Sequence, residues 1–216
     1  MKLFRRVFMT ILIAALCLAP AASAMSYAPL TLSEDERYAM NLFLSNFTEV
    51  GCDNIGSYSA DTDLVDFAHD HMWFNDNDAY EYGEYSEYPD DGGNNCRVSD
   101  ERIQEIVDKY FLDPPVVDLS QTRFNYDGEY YYHCETGGWS NSGFAQTVSV
   151  CPIGDNQYFA AFMTFGGGEF WDNNVLELSI DESSETFGSP QDFGHAIIYA
   201  SDLSDRSTYK MVSYFR

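Results

Sequence analysis

Apolar residues in the first half of the chain recur every three or four positions, which is the period of a helix with one buried face. The first such stretch contains Ala39, Leu42, Phe43, Phe47 and Val50. Ser33 and Glu36 precede it at the spacing of a capping box, in which each side chain accepts a hydrogen bond from the other residue's amide. We therefore predict an amphipathic helix that ends near Gly51.

Two further helices follow from the same spacing. The second runs from Asp63 to about Phe74 and places His71 among the apolar residues, so we predict a core histidine. The third begins at Ser99, and Pro114-Pro115 stops it because proline cannot continue a helix.

From about residue 117 the apolar period changes to two, which is typical of strands. Asp127-Gly128 predicts one hairpin turn, and Gly154-Asp155-Asn156 predicts a second between strands at 144–151 and 157–165. Further strands are predicted at 175–180, 195–200 and 208–215. N-terminal helices followed by a curved antiparallel sheet of five to six strands make an α+β fold.

Residues 1–24 have the three parts of a signal peptide. Lys2, Arg5 and Arg6 precede an apolar run at 7–18, and Ala22-Ser23-Ala24 is a small-residue cleavage site. The run is shorter than the roughly 20 residues that span a bilayer. We expect a secreted, extracellular bacterial protein whose residues 25–216 form a single domain; an uncleaved anchor is the alternative.

The chain is strongly acidic, with 11 Lys and Arg against 35 Asp and Glu and a formal net charge of −24. Loss of the leader removes three bases and no acid, which makes the charge more negative still. Nucleic acid and anionic membrane surfaces are excluded as partners, because binding to them depends on basic residues that neutralise phosphates. Such a charge favours metal ions or basic protein surfaces.

The cysteine count supports export. Removal of Cys17 with the leader leaves four cysteines, and an exported chain with an even number predicts disulfides. Four cysteines allow three pairings. We expect Cys52 with Cys96, joining the end of the first helix to the start of the third, and Cys134 with Cys151 on neighbouring strands.

An acidic, tyrosine-rich insert at 76–96 is the most unusual segment, and no Lys or Arg occurs from residue 38 to residue 96. Asp76, Asp78 and Glu81 are weak candidates for calcium, which prefers oxygen ligands, although their spacing departs from the twelve-residue calcium loop. A solvated acidic loop is the alternative. No other cofactor is expected.

Exposed aromatic rings offer a second kind of site. Tyr82 and Tyr85 in the insert, and Trp139 in a glycine-rich turn, have amphipathic faces suited to a glycan or a basic protein surface. Packing into the core is the alternative explanation for these rings.

No catalytic motif is found. His69 and His71 lie two apart on a predicted helix and so face different ways, which does not suit zinc. Gly138-Trp139-Ser140-Asn141-Ser142 lacks the closing glycine of a nucleophile elbow. A catalytic carboxylate pair cannot be identified among 35 acids. We predict an exported, non-catalytic binding or interaction module of unknown ligand; the alternative is a secreted hydrolase acting on glycans or peptides.

Three segments resemble a known group. Residues 38–49, residues 64–68 with His71, and residues 107–111 look like secreted or surface-attached proteins of clostridia-like, often gut, bacteria. The order of elements is also similar to the cone-shaped helix-plus-curved-sheet folds of the nuclear-transport-factor-like superfamily. The resemblance implies export and this fold, and it implies no activity.

Overall fold

The computed structural model describes residues 28–83, 85, 96–113, 116–133, 143–166 and 173–216. The predicted leader therefore lies outside the described residues. Within them the chain has four α-helices and two antiparallel sheets, which confirms the α+β class, although the helices are not all N-terminal.

The three predicted helices are present with nearly the expected bounds. In chain order the helices are α1 Glu34–Glu49, α2 Asp61–Asn75, α3 Asp100–Tyr110 and α4 Ile180–Phe187. The capping box of α1 is confirmed, since the Glu36 amide donates to Ser33 Oγ at 3.2 Å and the Ser33 amide donates to Glu36 Oε2 at 2.7 Å. These bonds satisfy amides that would otherwise lack partners at the helix start.

The strands form two sheets rather than one. In chain order they are β1 Asn54–Gly56, β2 Glu81–Tyr82, β3 Cys96–Ser99, β4 Asn125–Tyr126, β5 Tyr130–His133, β6 Gly143–Gly154, β7 Gln157–Gly166, β8 Asp192–Tyr199 and β9 Lys210–Phe215. The large sheet has the order β1-β9-β8-β7-β6, and the small sheet has the order β2-β3-β5-β4. Strand β5 of the β4–β5 hairpin pairs with β3, which precedes α3. The hairpin therefore belongs to the small sheet and not to the large one.

Both predicted hairpin turns are present. Asp155 and Asn156 connect β6 to β7 with φ of 51° and 58°, the left-handed conformation that matches the twist of a two-residue hairpin. In the β4–β5 turn, Asp127 Oδ1 accepts from the amides of Glu129 at 2.9 Å and Tyr130 at 2.8 Å. The aspartate thus holds the turn through its own side chain.

The strand predicted at 175–180 is wrong. The chain there forms a 3₁₀-helix at Asn173–Glu177, and α4 begins at Ile180. A second capping box explains the start of α4: the Glu182 amide donates to Ser179 Oγ at 3.2 Å, and the Ser179 amide donates to Glu182 Oε2 at 2.8 Å. The local cap therefore outweighs the alternation of apolar residues.

Helices α1, α2 and α3 meet one face of the large sheet in an aromatic core. Phe47 of α1 lies at its centre, with its ring centroid 4.7 Å from that of Phe67 on α2 and 5.5 Å from that of Tyr214 on β9. A buried polar contact fixes α1 against β6, where the Thr147 amide donates to Asn41 Oδ1 at 2.7 Å. Packing and polar contacts together set the position of α1.

Candidate functional site

A cavity of about 730 Å³ opens between α1, the C-terminal end of α2, one face of α3 and the segment that carries Arg206. Its walls are formed by Asp35, Tyr38, Ala39, Leu42, Asn46, His71, Asn75, Asp76, Arg102, Ile106, Lys109, Tyr110, Ser204 and Arg206. We call it the cationic cavity, because three of the eleven basic residues of this acidic chain line it. Its size is within the usual range for small-molecule sites.

The three cations differ in their partners. The Arg102 guanidinium is bonded to the carboxylates of Asp76 and Glu105. Neither Lys109 nor Arg206 has a carboxylate within 4.0 Å among the residues that the structure describes. Burial, and then the neighbouring charges of Arg206 and Arg102, lower the pKa of Lys109. The charge of Asp76 opposes this change, but that carboxylate is bonded to Arg102.

A buried carboxyl–amide–imidazole group forms the wall behind this cavity. Asn75 Nδ2 donates to Glu49 Oε1 and lies 3.1 Å from His71 Nδ1, while Glu49 Oε1 is 3.8 Å from that same nitrogen. The side chains of His71 and Glu49 are only 4% and 8% exposed. If His71 Nδ1 accepts from the amide, the ring proton is on Nε2.

Burial shifts both titratable members of this group toward their neutral forms. It raises the pKa of Glu49 to about 7, and the hydrogen bond from Asn75 opposes that change. It lowers the pKa of His71 to about 3, and Lys109 also lowers it. A carboxyl with a pKa near 7 can both donate and accept a proton at neutral pH, as general acid–base chemistry requires.

Glu49 also lines a second cavity of about 510 Å³, at the C-terminal end of α1. Asp70, Arg123 and Arg216 line it too. Burial raises the pKa of Asp70, whereas the charge of Arg123 and its hydrogen bonds to Asp70 oppose the change. Two carboxyls in different electrostatic environments therefore share one cavity.

The two histidines of α2 face different ways, as their spacing predicts. His71 is 3% exposed and packs 4.5 Å from the ring of Tyr110, which confirms the predicted core histidine. His69 is also buried, and its ring lies 3.6 Å from that of Phe124. The burial of His69 was not predicted, because its contacts come from the loop before β4.

The predicted ligand-binding tyrosines lie on the small sheet, away from both cavities. Tyr82 is 53% exposed. The Tyr85 hydroxyl donates to the carbonyl oxygen of Glu81 at 3.2 Å. The centroid of its ring lies 5.4 Å from that of the Tyr132 ring and 5.1 Å from the Arg97 guanidinium carbon. Trp139 lies outside the described residues. A role in ligand binding for these rings stays a prediction.

Two of the three calcium candidates form ion pairs with arginines. Asp76 binds Arg102, and Glu81 Oε2 is 2.7 Å from Arg97 Nη2, while Asp78 lies in the 3₁₀-helix Asn77–Ala79. In the described part of the chain, no three His, Cys, Asp or Glu side chains are grouped to hold a metal ion. Asp76 and Glu81 are thus each paired with an arginine, and calcium binding by the three acids stays a prediction.

The expected disulfide between Cys52 and Cys96 is not formed. Cys52 follows α1 beside the large sheet, whereas Cys96 is buried at the start of β3 in the small sheet. The residues described contain no disulfide among Cys52, Cys96 and Cys151, and Cys134 lies outside them. Burial raises the pKa of Cys52 to about 12, so that its thiol is a poor nucleophile.

Comparisons of the chain with models of known families, with curated proteins and with solved structures found no match. The resemblance to exported clostridial proteins therefore stays a prediction. In the described ranges, no helix is both long enough and apolar enough to cross a membrane.

Sequence reasoning missed both the cationic cavity and the buried carboxyl. The sequence did contain one signal for the cavity. The α3 residues that line it recur at helical spacing, so two cations border the apolar face of this helix: Arg102, Ile106, Lys109 and Tyr110. Glu49 gave no signal of its own, because Asn75 and His71 come from another helix.

Proposed function

We propose that this protein is an exported binding module that holds a small anionic ligand in the cationic cavity. The observation that carries the proposal is the placement of Lys109 beside Arg206, with no carboxylate within 4.0 Å of either side chain among the described residues. A carboxylate, sulfate or phosphate group between the two side chains would relieve their repulsion and form charge-assisted hydrogen bonds. Export rests on the signal-peptide pattern of residues 1–24.

The other basic residues that the structure describes differ from Lys109 and Arg206, because their side chains have hydrogen-bond partners within the protein. Arg97, Arg123 and Arg216 are each within 4.0 Å of a carboxylate, and Arg37 and Lys210 donate to backbone carbonyls. In a chain with 35 acids, carboxylate partners for two more cations are abundant. In the part of the chain that the structure describes, Lys109 and Arg206 have none within 4.0 Å, which leaves both available to an anion.

The test is a calorimetric titration with citrate and with sulfate at pH 7 and low salt, in the natural chain and in Lys109→Ala, Arg206→Ala and Arg97→Ala. We expect binding that weakens with added salt and falls about tenfold or more in either cavity variant, equal to about 1.4 kcal/mol. Arg97→Ala removes the same charge from a residue that does not line the cavity, and this variant should bind as the natural chain does. Absence of binding, or equal loss in all three variants, would refute the proposal.

One observation favours the alternative, a secreted hydrolase. Glu49, with a pKa of about 7, lines the second cavity together with Asp70. Perturbed carboxyls of this kind are common at catalytic sites. Chromogenic glycosides and a dye-labelled protein substrate test it: turnover that disappears in Glu49→Gln favours the hydrolase, whereas turnover that survives in this variant excludes Glu49 from the chemistry.

A further inference from the structure

We propose that the cationic cavity binds a short, extended peptide through its free C-terminal carboxylate. This inference rests on the proposed function, since it names the class of anion that the same cavity would hold. Four features support it: the length of the cavity, the different chemistry of its parts, a smaller cavity beside Lys109 and Arg206, and an unused acceptor oxygen on Asn46.

The length follows from α1. Asp35, Tyr38, Leu42 and Asn46 line the cavity from one face of this helix. Eleven residues separate the first from the last, and at 1.5 Å per residue they extend about 16 Å along the helix axis. An extended peptide spans about 3.3 to 3.6 Å per residue, so about five residues fit this length.

Two cations and one acid mark different parts of the cavity, and Asp76, the other acid in its walls, is bonded to Arg102. Asn46 lies at the end where Lys109 and Arg206 also line an adjoining small cavity. Asp35, in the first turn of α1, lines the opposite end. A molecule with a carboxylate at one end and a positive charge at the other matches this arrangement, and a peptide with a basic first residue is such a molecule.

The adjoining cavity gives the last residue a place for its side chain. It measures about 130 Å³ and opens beside Lys109 and Arg206, with Phe43, Tyr110 and Tyr209 among its walls. Phe43 and Tyr209 are 2% and 1% exposed. These buried rings suit an apolar C-terminal side chain, which would gain free energy from leaving water.

A polar side chain beside Lys109 and Arg206 suits a peptide backbone. Asn46 Nδ2 donates to the Leu42 carbonyl at 2.9 Å, and its Oδ1 accepts no hydrogen bond from the residues that the structure describes. This oxygen can accept from a peptide amide. An acidic oligosaccharide fits less well, because its repeated carboxylates would lie against Asp35 and Asp76.

The probe is a fluorescent pentapeptide with lysine first, three alanines and leucine last, and its affinity is measured by anisotropy. We expect the free acid to bind at least about tenfold more tightly than the same peptide with an amidated C-terminus. Lys109→Ala and Arg206→Ala should abolish this preference, while Arg97→Ala should retain it.

Asp35→Asn tests the other end. This substitution should lower the affinity for the peptide that begins with lysine about threefold to tenfold and leave the affinity for a peptide that begins with alanine unchanged. Glu34→Gln is the matched control, since this acid lies in the same helical turn but does not line the cavity. An equal effect of both substitutions, or no effect of Asp35→Asn, would remove Asp35 from the site.

The outcomes separate this inference from the proposed function. Citrate and sulfate binding together with equal affinity for the acid and the amide would overturn the peptide inference and leave the anion site standing. A glucuronate-containing tetrasaccharide that binds in place of the peptide would do the same. Failure of peptides and anions alike would overturn both.

Discussion

Glu49→Gln should stabilise the protein at alkaline pH. Burial raises the pKa of Glu49 from its ordinary 4.5 to about 7, so the folded chain holds a proton that the unfolded chain has released. The stability from this group is fully present below pH 4.5 and is lost as pH rises through 7. A difference of this size corresponds to about 3 kcal/mol at pH 8 or above.

Glutamine has nearly the same shape as the protonated Glu49 side chain, but it does not ionise. Its Oε1 can still accept from Asn75 Nδ2, and it carries no charge that burial would disfavour. The free energy of unfolding of the variant should therefore exceed that of the natural chain by about 3 kcal/mol at pH 8 and by little at pH 4.5. In thermal melting the difference corresponds to about 6 to 12 °C at pH 8.

The assay is urea denaturation at pH 4.5, 6, 7 and 8, with the slope of each transition compared to confirm that the unfolded states are alike. Glu185→Gln is the control, since it makes the same substitution at an exposed position on α4. A Glu49→Gln variant that is no more stable than the natural chain at pH 8, or that follows the same pH curve, would refute the inference that burial raises the pKa of Glu49 in the folded chain.

Three other substitutions or conditions test the fold, each by urea denaturation. Acidification of the Glu49→Gln variant from pH 6.5 toward 3 should lower its free energy of unfolding by several kcal/mol. The reason is that the pKa of His71 is lowered to about 3 in the folded chain, so over this range only the unfolded chain binds a proton at His71. An unchanged stability would contradict a neutral, buried His71. Asn41→Leu should cost about 3 kcal/mol or more, since it leaves Gln146, Leu176 and Thr147 without their buried partner. Gly194→Ala should cost about 1 to 3 kcal/mol, because its methyl group would overlap the Phe162 ring, whereas Gly51→Asn, in open space at a φ of 75°, should cost less.

Elements whose signals are local could be predicted from the sequence. The capping box of Ser33 and Glu36 and the apolar stripe behind it define α1, and the turn residues Asp155 and Asn156 define the β6–β7 hairpin. The same reasoning failed at 175–180, where both a strand pattern and a capping serine are present. The cap at Ser179 decided the outcome there, because it satisfies amides that the alternation of side chains does not.

The candidate site depends on contacts between distant segments and could not be predicted in the same way. Arg206 joins Lys109 across nearly a hundred residues, and Glu49 meets Asn75 across 26 positions. Net charge gave no indication of this cavity, whose walls contain three of the chain's eleven Lys and Arg residues. A single total describes the average surface and does not describe a cavity that the fold assembles.

The buried carboxyl and the cationic cavity share a wall, so their charges should influence each other. Glu49 is bonded to Asn75 and lies 3.8 Å from His71, and both of these residues line the cavity. An ionised Glu49 would oppose the binding of an anion on the other side of that wall, because like charges repel. Sulfate keeps its charge between pH 6 and 8, so its affinity should fall as Glu49 ionises through its pKa of about 7. Because such coupling is reciprocal, bound sulfate should also raise the pKa of Glu49, and both effects should disappear in Glu49→Gln. An affinity for sulfate that changes equally with pH in both chains would show that the carboxyl and the cavity are independent.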